Sequence, residues 1–445
     1  MKVYTVSLGC DKNLVDSEVM LGILRDEGYS FTDDENEADV IVINTCCFIH
    51  DACEESIQTI IDLGTLKESG NCKALIVTGC LASRYAEEIH KELPEVDAVC
   101  SATAYDKIAD AISSVLSGSP RDFIGDINAL PMPESERVVT TGGHYAYLKI
   151  AEGCDKHCTY CAIPRMRGAY RSVPMNRLVK EAEYLASTGV KELILVAQET
   201  TVYGQDIYGH KSLSELLHRL CRIDGPEWIR ILYCYPEEID DELIKTIKEE
   251  PKICHYLDMP IQHASDNVLK RMGRRTNHDF LVGLINHIRE EIPDICLRTT
   301  LITGFPGEAE SDHEQLLDFV DEMEFDRLGV FTYSREEGTP AYDYADQVDP
   351  EIMENRRDEI MKLQQEIAFM HAEDMIGREL TVFVEGKVVD DDVYISRTYM
   401  DAPGVDGYLF IHTARELMTG DMVRVRVTQA HEYDLIGEEN YEFTK

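Results

Sequence analysis

Short β-rich runs alternate with helix-length patterns over most of this 445-residue chain. That order commits it to parallel sheets, because consecutive parallel strands need a crossover that a helix supplies. In residues 1–120 the runs Val3–Leu8, Asp39–Asn44 and Lys73–Gly79 precede helical patterns around Ser17–Arg25, Glu54–Leu63 and Ser83–Leu93. Residues 121–143, with INALPMPESE and TTGG, read as a linker. In residues 144–375 six further runs predict strands: Tyr145–Ile150, Glu192–Ala197, Ile229–Cys234, His255–Met259, Leu297–Ile302 and Leu328–Tyr333. Six βα units predict an incomplete (β/α)6 barrel rather than the closed eight-unit one. A long polar helix, about Pro350–Met375, leads out of it. Residues 376–445 change character. Five short runs, Glu379–Glu385, Val393–Thr398, Asp406–Ile411, Met422–Thr428 and Glu432–Ile436, predict a small OB-like β-barrel. The expected class is therefore α/β: a parallel α/β domain, an incomplete barrel and a terminal five-stranded β-barrel.

Charge and cysteine usage narrow the function. The formal net charge is −41, and residues 378–445 alone carry 7 basic and 14 acidic residues. Nucleic-acid binders draw most of their general affinity from Lys and Arg meeting phosphate. A chain with no basic island is a poor general RNA binder, and a basic protein partner fits better. Solubility or a salty cytoplasm would explain the same acidity. The start, MKVYTVSLGC, lacks a basic segment followed by a long apolar one, and no apolar run approaches the ~20 residues of a membrane helix. The expectation is a soluble cytoplasmic protein. In that reducing compartment its 14 cysteines point to metal binding or chemistry rather than disulfides.

Immediately after the first predicted barrel strand stands Glu152-Gly-Cys154-Asp-Lys-His-Cys158-Thr-Tyr-Cys161. Iron–sulfur clusters are held by thiolates, normally four, so three leave one iron with an open position. In a βα barrel the chemistry lies on the loops at the C-terminal strand ends, and this loop is one of them. A zinc knuckle closed by His157 is the competing reading, although zinc sites usually close with a second cysteine pair. Other predicted strand ends carry Gln198-Glu199-Thr200, Tyr235-Pro-Glu237, Gln262-His263 and Thr303-Gly304-Phe305-Pro306-Gly307-Glu308. His263 reads equally as a hydrogen-bonded structural histidine, and the two glycines as a tight turn.

A second set emerges from position alone. Cys10, Cys46 and Cys80 each follow one of the three predicted N-terminal strands. Ligands of open α/β sheets bind outside the carboxyl ends of the strands, so these three should converge on a second metal site. Buried small hydrophobes are the alternative, and that reading suits Cys47, Cys53, Cys72, Cys100, Cys221, Cys234, Cys254 and Cys296.

The motifs SLGCDKNLVDSE, INTCCFI, VTGCLASRY, KIAEGCDKHCTYCAIPRMRG, YLDMPIQHAS, TGFPGE and YSREEGTPA together resemble the methylthiotransferase family of radical S-adenosylmethionine (SAM) enzymes, over essentially the whole chain. LGCDKNLVDSE and, in the terminal segment, DAPGVDG resemble the branch that methylthiolates the β-carbon of an aspartate in small-subunit ribosomal protein number twelve. The resemblance implies two 4Fe–4S clusters, one on Cys154, Cys158 and Cys161 for SAM cleavage, the other on Cys10, Cys46 and Cys80 for sulfur delivery. It implies SAM as cofactor, an electron-donor protein, a TRAM domain at residues 376–445 that docks the basic ribosomal protein, and no membrane. Tyr160 would lie near the adenine of SAM, unless it is only a core aromatic. Glu199 stands where the family commonly has Asp, so no role is expected of it. The sister branch, which modifies an adenosine in tRNA, and a non-enzymatic ribosome-associated iron–sulfur protein are the alternatives; the acidic terminal segment argues against tRNA.

Overall fold

The computed structural model describes residues 1–389 and 391–439. The N-terminal domain is a parallel sheet of β1 (Lys2–Ser7), β2 (Ser30–Phe31), β3 (Val40–Thr45), β4 (Ala74–Gly79) and β5 (Ala98–Ser101), in the order β2-β1-β3-β4-β5. The central strands β3 (VIVINT) and β4 (ALIVTG) are buried at every position, as strands covered by helices on both faces must be. The sheet has two strands more than expected, because β2 has only two residues and β5 only four, too few for a pattern.

Residues 121–143 carry no helix or strand of their own, yet they form an ordered strap. Glu18 accepts from the Thr140 amide at 2.7 Å and pairs with Arg137 at 3.3 Å. Gly22 lets the strap lie against the helix Asp11–Asp26, since an added Cβ would stand 2.3 Å from the Glu136 carbonyl oxygen.

The central domain contains β6 (Tyr145–Lys149), a two-stranded antiparallel ladder of β7 (Ala151–Glu152) and β8 (Arg171–Ser172), then β9 (Glu192–Val196), β10 (Trp228–Ile231), β11 (Ile253–Asp258), β12 (Cys296–Thr303) and β13 (Arg327–Thr332). The six long strands form one parallel sheet, β13-β12-β11-β10-β9-β6, which stays open between β13 and β6. The incomplete barrel expected from six βα units is what forms. The outgoing helix, Pro350–Asp374, starts with proline in its first turn behind Asp349, whose side chain accepts from the Glu351 amide at 2.9 Å.

The C-terminal domain is a closed barrel, β14 (Glu379–Lys387), β15 (Val393–Thr398), β16 (Leu409–His412), β17 (Met422–His431) and β18 (Asp434–Glu439), ordered β14-β15-β16-β18-β17. Along β17, Val423, Val425 and Val427 point inward while Arg424 and Arg426 face out. Two strands begin later than the sequence suggested. Asp406 is spent on the preceding turn, accepting from the Ala402 amide and the Tyr256 hydroxyl at 2.8 Å each. Glu432, at φ +55°, belongs to the β17–β18 turn. Asp390 and residues 440–445 of the expected TRAM range lie outside the described residues.

This barrel seats on the central domain at the N-terminal ends of its strands. Arg397 reaches Glu192, the first residue of β9, at 2.7 Å, and Phe383 packs 5.6 Å from Trp228, the first residue of β10. Arg230 completes the contact, bonding Glu192 at 2.8 Å and the Tyr399 carbonyl at 2.7 Å. The N-terminal domain covers the other end. There, Lys12 lies over the ring of Tyr233, just past β10.

Candidate active site

The barrel cysteines sit on a loop closed at its base by β7 and β8. Gly153 turns the chain at φ +78°, where a Cβ would stand 2.1 Å from the Ala169 carbonyl oxygen, so glycine alone allows the loop to close. The Cys154 amide donates to the Gly168 carbonyl at 3.2 Å, and that of Cys161 to the Cys158 carbonyl at 3.0 Å. Gln198 braces the base by accepting from the Gly153 amide (2.9 Å) and donating to Glu152 (2.8 Å). Cys154 and Cys158 are buried and Cys161 is half-buried. Burial, with Glu199 and Cys158 adding, pushes the Cys154 thiol up to about 11; burial and the two neighbouring cysteines raise that of Cys161 as well. The free thiols of Cys154 and Cys161 are therefore neutral, and binding to iron would take their protons.

Around the loop stand groups from several strand ends. The Tyr235 hydroxyl lies 3.8 Å from the Cys158 sulfur, and Arg274 lies 4.5 Å over the Tyr235 ring. Tyr160 packs edge-to-face on Phe305 at 6.4 Å; burial, then the neighbouring Cys158, push its hydroxyl well up against the charge of Arg274. It is thus both a partner of an apolar cluster and a neighbour of the thiols. Lys156, inside the loop, bonds Glu238 and lies 3.7 Å from both Glu199 and Glu237. Burial pushes Glu199 up to about 7, against hydrogen bonds from Thr201 and the charge of Lys156. Glu199, from which no role was expected, therefore helps to anchor the loop. His263 and Glu308 face each other 3.7 Å apart, both fully buried.

Arg274 supplies a test of fit. Its Nη2 donates to the Pro260 carbonyl at 2.9 Å, but its buried Nε and Nη1 have no partner. Orphaned guanidinium N–H groups are costly, and an anionic group seated on the adjacent thiolates would satisfy them. Three thiols and a cation with two unsatisfied nitrogens suit an iron–sulfur cluster carrying an anionic ligand. A zinc knuckle would need His157 as its fourth ligand, and His157 is exposed while Cys154 and Cys158 are buried.

The N-terminal cysteines lie at the carboxyl ends of their strands. Cys10 precedes the helix Asp11–Asp26, Cys46 follows β3 and Cys80 opens the helix Cys80–Glu92. Gly9 (φ +83°) and Gly79 (φ +93°) permit the approach: a Cβ on Gly9 would stand 2.6 Å from that of Cys46, and one on Gly79 would stand 2.4 Å from the Thr45 carbonyl oxygen. Burial, then Cys80 and Cys10, push Cys46 up to about 12. Most of the remaining eight cysteines are buried structural residues; Cys53 and Cys221 are half-buried.

Sequence reasoning gave no role to the residues that join the two sets. Arg167, 1% exposed as a side chain, donates from Nε to the Cys80 sulfur at 3.3 Å and bonds Asn13. Its Nη1 reaches Asp16 at 2.8 Å and Glu152 at 3.0 Å, and Lys149 pairs with the same two carboxylates. The two cations outweigh the effect of burial and hold Glu152 at about 2. The one signal available was that Asn13, Asp16, Lys149, Glu152 and Arg167 all fall inside the quoted motifs.

Comparison with known proteins agrees with this architecture. Residues 2–101 match Uncharacterized protein family UPF0004, residues 148–320 the radical SAM superfamily and residues 376–439 the TRAM domain. The fold resembles the radical SAM methyltransferase TsrM of Kitasatospora setae, solved with cobalamin and a [4Fe-4S] cluster, at a TM-score of 0.57 and 14% identity, covering 76% of this chain and 73% of that one. The ribosomal protein uS12 methylthiotransferase RimO of Lachnoclostridium phytofermentans is 63% identical over 98% of this chain and 99% of its own length. RimO of Acetivibrio thermocellus is 52% identical over 98% of each chain. At that identity and coverage this chain belongs to the RimO family of radical SAM methylthiotransferases.

Proposed function

We propose that this chain transfers a methylthio group to the β-carbon of an aspartate in ribosomal protein uS12, using SAM and two 4Fe–4S clusters. The observation that carries the reading is the pairing of two three-cysteine sets across one domain interface: each lies at the carboxyl ends of a parallel sheet, and Arg167 and Gly168 contact one set each. Three ligands per set leave an open iron in each cluster, as a reacting site needs and a structural one does not.

Cys154, Cys158 and Cys161 would hold the cluster that supplies one-electron cleavage of SAM, and with it a radical able to take hydrogen from an unactivated C–H. No side-chain base could ionise such a bond, so the protein's part is to bind, orient and exclude water. Arg274 offers two N–H donors to an anionic group at the loop, while Tyr160 and Tyr235 wall it. Lys156, anchored by three carboxylates, fixes the loop's conformation. Cys10, Cys46 and Cys80 would hold the second cluster, from which sulfur is delivered. The TRAM barrel lies at the opposite strand ends, so its acidic surface would attract the basic ribosomal protein rather than grip the reacting aspartate. Arg426, one of the best-placed cations for an RNA contact, is paired with Glu379 at 2.8 Å, which supports a protein over tRNA. An electron-donor protein is the other partner. Among the described residues no helix is long and apolar enough to cross a membrane, and the proposed place of action is the cytoplasm, with the ribosomal substrate.

The test is a reconstituted reaction with purified uS12, assembled small subunits or tRNA, read by mass spectrometry. The expected result is a methylthio adduct on a uS12 aspartate. A modified adenosine in tRNA with unmodified uS12 would overturn the reading.

A further inference from the structure

One dipeptide touches both cysteine sets. The Arg167 side chain donates from Nε to the sulfur of Cys80 at 3.3 Å, and the carbonyl of the next residue, Gly168, accepts from the Cys154 amide at 3.2 Å. Arg167 comes from the central domain, Cys80 from the N-terminal one. Gly168 is locked in turn: at φ +74°, an added Cβ would stand 2.4 Å from the Ile127 carbonyl oxygen of the strap. The guanidinium fork spends its remaining donors on Asn13, Asp16 and Glu152, and Lys149 balances the second carboxylate. Two buried cations thus face two buried carboxylates, and Cys80 is an additional, uncharged acceptor on Arg167.

We propose that Arg167 is a positioning residue that sets the reduction potential of the group held by Cys10, Cys46 and Cys80 and fixes its place relative to Cys154. This rests on the assignment of both cysteine sets to clusters. Cluster potentials respond to net charge, to hydrogen bonds on sulfur and to exclusion of solvent. A fully buried guanidinium donating to a ligand sulfur supplies the hydrogen bond and the exclusion of solvent, while Asp16 and Glu152 balance its charge. Its N–H donation favours the reduced state, which carries one more negative charge, so Arg167 raises the potential of the N-terminal cluster. The barrel loop receives a neutral backbone contact from Gly168 and meets Arg167 only through Glu152, whose charge Lys149 also balances, so the barrel cluster's potential should hold when Arg167 is replaced. Arginine is needed because a planar fork can reach Cys80, Asn13, Asp16 and Glu152 together, whereas a lysine ammonium is a point charge.

The experiment titrates full-length reconstituted protein by EPR, in the parent and in a Cys154→Ala/Cys158→Ala/Cys161→Ala background that isolates the N-terminal cluster. Arg167→Gln is combined with Asp16→Asn so that no uncompensated buried carboxylate remains; Arg167→Lys is made separately. The double variant should bind parental iron, show a more negative N-terminal potential and leave the barrel cluster's potential in place. Arg167→Lys should shift the same potential the same way by less. An unmoved N-terminal potential at full iron overturns the inference, as does an equal shift of both clusters. If the double variant does not fold, an unmoved potential in Arg167→Lys overturns it alone. A parent background that binds no iron would instead defeat the cluster assignment, so the two failures are distinguishable.

Discussion

The ammonium of Lys12 lies 3.3 Å above the ring of Tyr233, and the hydroxyl of the same tyrosine bonds Asp11 at 3.2 Å. Lys12 and Asp11 follow directly on Cys10, and Tyr233 sits at φ +61° beyond the third long barrel strand. This contact clamps the N-terminal cysteine loop onto the mouth of the barrel. A buried cation–π pair contributes about 2 kcal/mol and the added hydrogen bond about 1 kcal/mol. Tyr233→Leu should therefore lower stability by about 2–3 kcal/mol. A urea midpoint equal to that of the parent would show that the clamp carries no energy.

The two cysteine sets should separate functionally. Cys10→Ala/Cys46→Ala/Cys80→Ala should retain about half the parental iron after reconstitution, since two equal clusters are expected. It should still form deoxyadenosine from SAM and transfer no methylthio group. Cys154→Ala, Cys158→Ala or Cys161→Ala should each abolish SAM cleavage. Iron analysis and product chromatography check both halves; full iron in the first variant would contradict the assignment.

His263 should make the protein acid-sensitive. Its Nδ1 accepts from the Ser265 amide at 2.9 Å, so a second proton has no room there, and burial holds its pKa down at about 3. Because the folded pKa lies below the unfolded value of about 6.5, the unfolded state binds the extra proton first. The stability this histidine contributes is full above pH 6.5 and is lost as pH falls toward 3, by at most about 1.4 kcal/mol per pH unit. His263→Gln should lose less stability than the parent between pH 7 and 5, measured by urea denaturation; parallel pH profiles would refute the account.

Arg397 should be the keystone of the contact between the TRAM and central domains. It is fully buried between Glu192 (2.7 Å) and Glu385, and Arg397→Met would leave two carboxylates sharing too little positive charge. Removing one partner of a buried ionic network costs about 3–5 kcal/mol. Arg397→Met/Glu385→Gln should recover part of that loss, because Glu192 keeps Arg230 at 2.8 Å. Thermal unfolding of the three proteins provides the comparison, and equal melting of the single and double variants would exclude the network as the cause.

Reversing acidic TRAM residues should slow association with uS12 without changing the chemistry. Asp391→Lys and Asp392→Lys reverse two exposed carboxylates, and Asp390→Lys reverses the acidic residue that precedes them in sequence, outside the described residues. The association rate should fall at low salt and approach the parental rate as ionic strength rises, since exposed charges are screened over roughly 8–10 Å. Stopped-flow measurements at two salt concentrations decide it, and a salt-independent difference would point to a direct contact.

Much of this protein was legible along the chain. Alternating βα order located all six long barrel strands, and the two sets of strand-end cysteines followed from it, because a parallel sheet brings the carboxyl ends of its strands together whatever lies between them. Local spacing likewise fixed the C-x3-C-x2-C loop. The sequence was silent on Arg167, which meets Asn13 from 154 positions away, and on Lys12, whose partner Tyr233 belongs to another domain. It also passed over Glu199, whose importance appears only when Lys156 is folded against it. These partners are chosen by which faces are buried when domains dock: a charge or a thiol removed from water must find whatever the opposite surface offers. Periodicity encodes a residue's own element and face, whereas the tertiary structure alone decides what that face meets. For the same reason only the structure placed the TRAM barrel at the strands' N-terminal ends, opposite the two three-cysteine sets, where Arg397 and Phe383 close the interface.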